Sequence, residues 1–416
     1  MINKKDYYKI LDVNKETKIK DIKKSYKDKA KELNVNVDME NKNDFIELCE
    51  AAIVLTDKKK KRLYDNGGFE KVYGNNLENY TVLSFDDSYK FFMGKYKDTN
   101  NKIFLNKFTN FQEKVYGLTT SGFNFKSLKW KTDGLIFLAS TLFFPFLISV
   151  MAKLLFTWSD KTETALQFIY IISVTVGAIV LIAYHKSGYF KYGYAWQFLF
   201  VIIPLLALIL VIAFSNANQY ILAMVVNLVP KFILLILILY IDKKTRKIII
   251  ETFKKHWLTL LITCVFGFII IIGINLLVSG VIEQKLFKLA ESKNESNLAG
   301  ALSDQNASKT TKITYAILLV LYAVMVAPFV EEMAFRSAWF LNVSNKWLAY
   351  VTSSIAFGFI HYGFSGDFEH VLSYSAGGFI LGGVFIWTKG NITYSWLVHM
   401  GNNLFAVIVL LVSVSW

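Results

Sequence analysis

WLTLLITCVFGFIIIIGINLLVSGV, residues 257–281, decides the fold class of this chain. The run contains no charged side chain. At 1.5 Å per helical residue it reaches about 37 Å, more than the roughly 30 Å hydrocarbon core of a bilayer. A backbone in lipid finds no water to bond with, so a run of this kind reads as a spanning helix. Similar runs lie upstream at about 134–157, 164–184, 194–214 and 219–240. A polar stretch from about Glu283 to Lys312 follows, read as a loop. Four more runs come near 313–341, 347–362, 371–388 and 392–416, some short or carrying polar residues. The expected fold is an all-α polytopic membrane bundle of eight or nine spans, with a small helical domain ahead of it. All four prolines fall inside the runs, where neighbouring helices can satisfy the backbone groups a proline frees.

The composition agrees. Of 416 residues, 54% are hydrophobic and 19% charged, with a mean hydropathy of +0.38. A soluble domain is roughly 45–50% apolar and about 25% charged, so a single soluble globule is excluded. Two cysteines, Cys49 and Cys264, cannot build a disulfide framework or a zinc cluster.

Charge divides the chain at Asp133. Residues 1–133 hold 27 of the 46 Lys and Arg and 20 of the 32 Asp and Glu, and contain no long apolar run. The first 30 residues are polar and lysine-rich, unlike a signal peptide. Lys186 and Lys191 follow the second run, and Lys243, Lys244, Arg246, Lys247, Lys254 and Lys255 follow the fourth. The connection after the third, near Ser215–Asn218, carries no charge. Positive-inside asymmetry then puts the N-terminal domain in the cytoplasm and the 283–312 connection outside. The expected location is the cell membrane. The net charge of +14 splits as +7 on either side of this boundary, which suits topology and a docking domain rather than nucleic acid.

The boundaries drawn from these shifts are a helical domain at 1–66, a cytoplasmic linker region at 67–133 and a membrane domain at 134–416. In the first, Asp6-Tyr7-Tyr8-Lys9-Ile10-Leu11, the basic Ile22-Lys23-Lys24-Ser25-Tyr26-Lys27, Glu50 to Asp57, and Arg62-Leu63-Tyr64-Asp65 resemble the J-domain of DnaJ-type co-chaperones. In that family a His-Pro-Asp loop triggers ATP hydrolysis by the partner chaperone. Here the corresponding positions are Asn34-Val35-Asn36. The resemblance therefore implies a docking hairpin for a cytoplasmic protein partner, without ATPase stimulation. A small basic bundle that meets anionic headgroups is the plainer reading.

The chemistry is expected in the last ninety residues. Polar side chains in spans are costly and tend to face a bundle interior or a wet cavity. The final runs hold Glu331, Glu332, Arg336, His361, His399, Asn402 and Asn403. Adjacent residues on a helix project about 100° apart, so Glu331 and Glu332 cannot share one role. Arg336 is four residues beyond Glu332 and can pair with it, which leaves Glu331 free as a general base in a low-dielectric pocket. His399 and Asn403 fall on one face of one helix. Taken singly, these groups also have ordinary readings: a capping pair, an interfacial histidine, an interhelical hydrogen bond.

Taken in order they are more telling. Glu331-Glu332-x-x-x-Arg336, Phe357-x-x-x-His361 and His399-x-x-x-Asn403 resemble the CPBP (Abi) family of intramembrane proteases, which includes the CaaX prenyl endopeptidases. The likeness covers about 313–410. It implies an endopeptidase acting on a membrane-embedded or lipid-anchored peptide or protein. Glu331 and His361 would hold and activate water, and His399 and Asn403 would stabilise the oxyanion. Glu332 and Arg336 would support the site. No HExxH is present, so a metal-independent glutamate mechanism with no cofactor is expected, a divalent metal being the open alternative. A full crossing by 347–362 would carry His361 away from a Glu331 at the cytoplasmic end. The expected resolution is a Glu331 near mid-membrane, on a helix continuing to about Leu341, in a wet cavity open to the cytoplasm or laterally to lipid. The competing function is a non-catalytic adaptor or bacteriocin-immunity protein on the same scaffold.

Overall fold

The computed structural model describes residues 5–33, 42–73, 83–92, 112, 115–116, 123–185, 189 and 193–414. The positions of Asn34-Val35-Asn36 lie outside the described residues. The chain forms two compact units, 1–111 and 112–416.

The first unit is a set of short helices: α1 (Tyr7–Ile10), α2 (Ile19–Glu32), α3 (Lys42–Leu55), α4 (Lys58–Asp65), α5 (Gly68–Tyr73) and α6 (Phe85–Phe92). Asp6 caps α1 by accepting from the Tyr8 and Lys9 amides, and Asp57 caps α4 by accepting from Lys59 and Lys60. Each cap satisfies amides that a helix start leaves without partners. Ile22, Tyr26 and Ala30 recur every fourth residue on α2 and are buried, while its lysines face outward. They pack with Tyr7, Leu11, Phe45 and Leu48 in one core. Helix α6 falls in the stretch read as linker. It packs on α3 through Phe85 and Phe92 against Phe45.

The second unit contains, among the described residues, eight helices long and apolar enough to cross a membrane. They are α7 (Trp130–Leu155), α8 (Asp160–His185), α9 (Trp196–Ala213), α10 (Gln219–Ile241), α12 (Trp257–Leu286), α14 (Lys309–Val343), α16 (Phe368–Trp387) and α17 (Ile392–Ser413). Three others join them: α11 (Lys243–Lys255), α13 (Lys293–Ser303) and α15 (Lys346–Tyr362). Leu154, Ile209, Ile212, Phe266 and Val412 are all exposed, an arrangement that lipid tolerates and water penalises.

Connecting segments gather at two ends. At one, Ser127 Oγ donates to Leu341 O (3.0 Å), Asn391 Nδ2 to Thr252 Oγ1 (2.8 Å) and Gln112 Nε2 to Trp387 O (3.1 Å). At the other, Lys153 Nζ donates to Gly366 O (2.7 Å), the Lys293 amide to Asp367 Oδ2 (2.7 Å) and Tyr220 OH to Asp304 Oδ2 (2.7 Å). Helix α15 has 17 residues yet runs between the same two ends. It packs on α16 through small residues, because a Cβ on Gly378 would come within 2.6 Å of Ser354 O. The polar 283–312 stretch is not all loop. Ser292 caps α13 and Ser308 caps α14, each accepting from an amide three residues on. Those two caps start helices where charge density alone suggested a coil.

Candidate active site

Helix α14 carries the two glutamates. It is about 52 Å long at 1.5 Å per residue, and Glu331 sits about 18 Å from its Val343 end. Its hydrogen bonding widens to the π pattern at Val320–Val326 and again at Met333–Ala338. Pro328, which has no N–H to give, begins the regular stretch between them.

Glu331 is 4% exposed and lines a cavity of about 640 Å³. The sequence reading left this carboxylate free. The structure overturns that: Lys231 Nζ, from α10, donates to Glu331 Oε1 at 3.2 Å and to the Tyr322 hydroxyl at 2.9 Å. The ammonium also lies 4.9 Å from the centre of the Tyr322 ring and 5.3 Å from that of Phe200. A cation over aromatic faces is held by their negative quadrupole. Lys231 was missed although a signal existed, since it is the one charged residue between Gln219 and Ile241. A lone lysine inside a span marks a functional candidate by default.

Glu332 points away from the cavity and is fully buried. Its Oε2 lies 3.4 Å from Arg336 Nε. Arg336 also donates from its second terminal nitrogen to Gly378 O (3.3 Å), and its guanidinium carbon lies 4.5 Å from the Phe357 ring centre. The phenylalanine of Phe357-x-x-x-His361 is thus a stacking face for the arginine of the first motif.

His399 sits between the two glutamates. Nδ1 is 3.2 Å from Glu332 Oε1, and Nε2 is 3.8 Å from Glu331 Oε2. An imidazole held at Nδ1 by a carboxylate has a fixed ring orientation, with Nε2 directed at the site. The 100° separation of adjacent residues does not stop the glutamates from serving one group, because a ring has two nitrogens with which to meet them. His361 lines the same cavity as Glu331 and His399. Tyr374 of α16 stacks on its ring at 5.2 Å and 15°. Asn403 also lines the cavity and donates to Ala323 O at 2.9 Å. Helix α14 runs to Val343, two residues past the expected Leu341, and Glu331 and His361 line one cavity although α15 traverses the bundle.

The lining of the cavity extends to Asn294, Glu295 and Leu298 of α13, at the end of the bundle away from the basic helix α11. Tyr374 ties the two regions together, since its hydroxyl is 2.6 Å from Ser292 Oγ, the cap of α13. Among the described residues no three His, Cys, Asp or Glu side chains are grouped to hold a metal.

Residues 313–405 match the family model described as type II CAAX prenyl endopeptidase Rce1-like, and residues 6–65 match the DnaJ domain model. A Mycoplasma capricolum protein described only as uncharacterized is 30% identical over 307 residues, covering 70% of this chain and 90% of its own length. The chain belongs to the Rce1-like CPBP family. It carries its CPBP motifs on α14, α15 and α17, whereas Lys231 and Tyr374 lie outside those motifs and Lys231 outside the matched segment as well. The family is one of CAAX-type intramembrane endopeptidases. At the N-terminus the chaperone protein DnaJ of Thermoplasma volcanium is 38% identical over 88 residues, 19% of this chain and 24% of that protein. No solved structure matches.

Proposed function

We propose that this protein hydrolyses a peptide bond of a membrane-embedded or lipid-anchored peptide or protein, using water activated by Glu331. The observation that carries the reading is the meeting of Glu331, His361 and His399 on one cavity, from three separate helices. Glu331 takes a proton from water as the oxygen attacks the scissile carbonyl carbon, and His361 holds that water. The carbonyl oxygen becomes an oxyanion, met by His399 and Asn403. A donor of this kind is worth about 2.7–4 kcal/mol in other hydrolases. The C–N bond then breaks, the proton passes from Glu331 to the leaving nitrogen, and a carboxylic acid and an amine result. Glu332 and Arg336 support the site by holding His399 and Phe357. Lys231 binds Oε1 of Glu331, so that Oε2 faces His399. The reaction needs no metal in this scheme.

The membrane domain of this reading is 134–416, with its proteolytic core at about 313–410. The basic helix α11 supports a cytoplasmic position for the end at which the chain enters the bundle. The N-terminal unit, residues 1–111, would then be cytoplasmic. Its DnaJ likeness supports docking of a cytoplasmic protein partner rather than chaperone activation.

The test is a comparison of membrane proteomes from cells bearing the wild type and Glu331→Gln. New peptide termini present with the wild type and lost in the variant are expected. Identical sets of termini would overturn the reading and favour a non-catalytic adaptor.

A further inference from the structure

Polar side chains from α12 and α17 form a directional relay inside the cavity wall. Asn275 Nδ2 donates to Asn402 Oδ1 at 3.1 Å, Asn402 Nδ2 to Asn403 Oδ1 at 3.3 Å, and Asn403 Nδ2 to Ala323 O at 2.9 Å. All three asparagines line the cavity. Ala323 lies in the first π-patterned stretch of α14. The relay therefore ties α12 to α17 and α17 to the helix that carries Glu331.

An asparagine amide has one acceptor oxygen and two N–H donors. At Asn403 the oxygen is already an acceptor and one N–H is spent on Ala323. What the side chain still has to donate to the cavity is its second N–H, beside one lone pair left on the oxygen. A carboxamide free to flip could turn its oxygen to the same place, and an oxygen there would repel a developing oxyanion. We propose that Asn402 and Asn275 are positioning residues for the proteolytic reaction, holding the Asn403 amide with a donor toward the reacting carbonyl oxygen. The inference rests on the reading of Asn403 as an oxyanion donor, and it adds a residue of α12, which lies outside the segment matched to the family. Preorganised donors act because they cost no reorganisation when charge appears. Asn275 is also the starting point of the relay, so its loss frees Asn402 first and Asn403 through it.

The competing account is interhelical adhesion. Such hydrogen bonds in membrane proteins average about 0.6 kcal/mol and change stability, not the chemical step. The full-length protein is reconstituted in vesicles, with a quenched-fluorescence peptide spanning the site found in the wild-type against Glu331→Gln comparison. Asn275→Ala is expected to lower kcat by about 10-fold or more, bounded by the roughly 10²–10³ lost with an oxyanion donor, and to leave KM within about twofold. Asn275→Asp keeps the size and loses the donor, so it should behave like Asn275→Ala. Asn275→Ser restores a donor and should recover part of kcat. In an Asn403→Ala background, Asn275→Ala should have no further effect, since groups acting as a unit are not additive. A rise in KM with kcat unchanged would make Asn275 a substrate contact and overturn the proposal. Multiplicative losses in the double variant would overturn it as well. If Asn275→Ala does not fold, the kcat of Asn275→Asp and Asn275→Ser decides in the same way. An active Glu331→Gln would bring down the proteolytic reading itself. An inactive Glu331→Gln with a fully active Asn275→Asp would bring down the relay alone.

Discussion

Replacing Lys231 with methionine keeps most of the stem and removes the ammonium that faces Glu331. The pair lies at 3.2 Å, with both side chains largely shielded, 15% and 6% exposed. Breaking such a buried pair by removing one partner costs about 3–5 kcal/mol, because the other charge stays buried without compensation. Lys231 also binds the Tyr322 hydroxyl and lies against two aromatic rings. Its loss therefore belongs toward the upper part of that range. Glu331→Gln leaves the ammonium with those neighbours and an amide oxygen, so its cost is expected at the lower part. The double variant Lys231→Met/Glu331→Gln buries neither charge. It should be more stable than Lys231→Met alone, with a coupling energy of about 2 kcal/mol or more between the sites. The assay is reversible unfolding in mixed detergent micelles, followed by tryptophan fluorescence, for the wild type and the three variants. Lys231→Arg serves as the control that keeps the charge. Losses that simply add in the double variant, or a Lys231→Met cost below about 1 kcal/mol, would refute the pairing as an energetic unit.

Other outcomes follow from the same geometry. Arg336→Met should destabilise by about 3–5 kcal/mol in that unfolding assay, since it strands Glu332 in a fully buried place. Arg336→Lys should rescue little, because an ammonium offers no planar face to Phe357. Gly378→Ala pushes a methyl against Ser354 O and should cost about 1–3 kcal/mol. In the N-terminal unit, partial burial works to raise the Asp65 carboxyl. The Tyr8 hydroxyl and the Lys61 ammonium outweigh it and hold the group below the usual carboxylate range. The stability this contributes is present above the unfolded carboxylate value of about 3.9 and is lost as pH falls through the lower folded value. The protection of the α1 and α4 amides in the intact protein, taken relative to the intrinsic exchange rate at each pH, should fall over that acidic interval, and Asp65→Asn should abolish the pH step. Burial pushes the Cys49 thiol up to about 12, so maleimide labelling at neutral pH should be slow until the unit opens.

Much of the architecture was legible along the chain. Apolar runs marked each crossing, because lipid enforces a local rule: a long stretch must be apolar and helical on its own account. The three polar motifs stood out against that background for the same reason. Helix α13 was less legible, since a polar helix outside lipid is started by caps such as Ser292 and carries no hydropathy signature. The 17-residue α15 was legible as a run, though its reach from one end of the bundle to the other was not.

What the sequence by itself determined is the set of spans, the polar side chains buried within them and the family to which their order points. Only the tertiary structure decided their partners. Lys231 lies 100 residues from Glu331, and Asn275 lies 127 from Asn402. Helical periodicity relates residues three or four apart and says nothing about which face of α10 meets α14. Nor could spacing show His399 engaging both glutamates, because its ring reaches across from another helix. That the cavity lining reaches Asn294 and Glu295 of α13 likewise came from how the helices pack. Hydropathy is a property of one segment, whereas a site is a property of several segments brought together, and only their packing selects the side chains that meet.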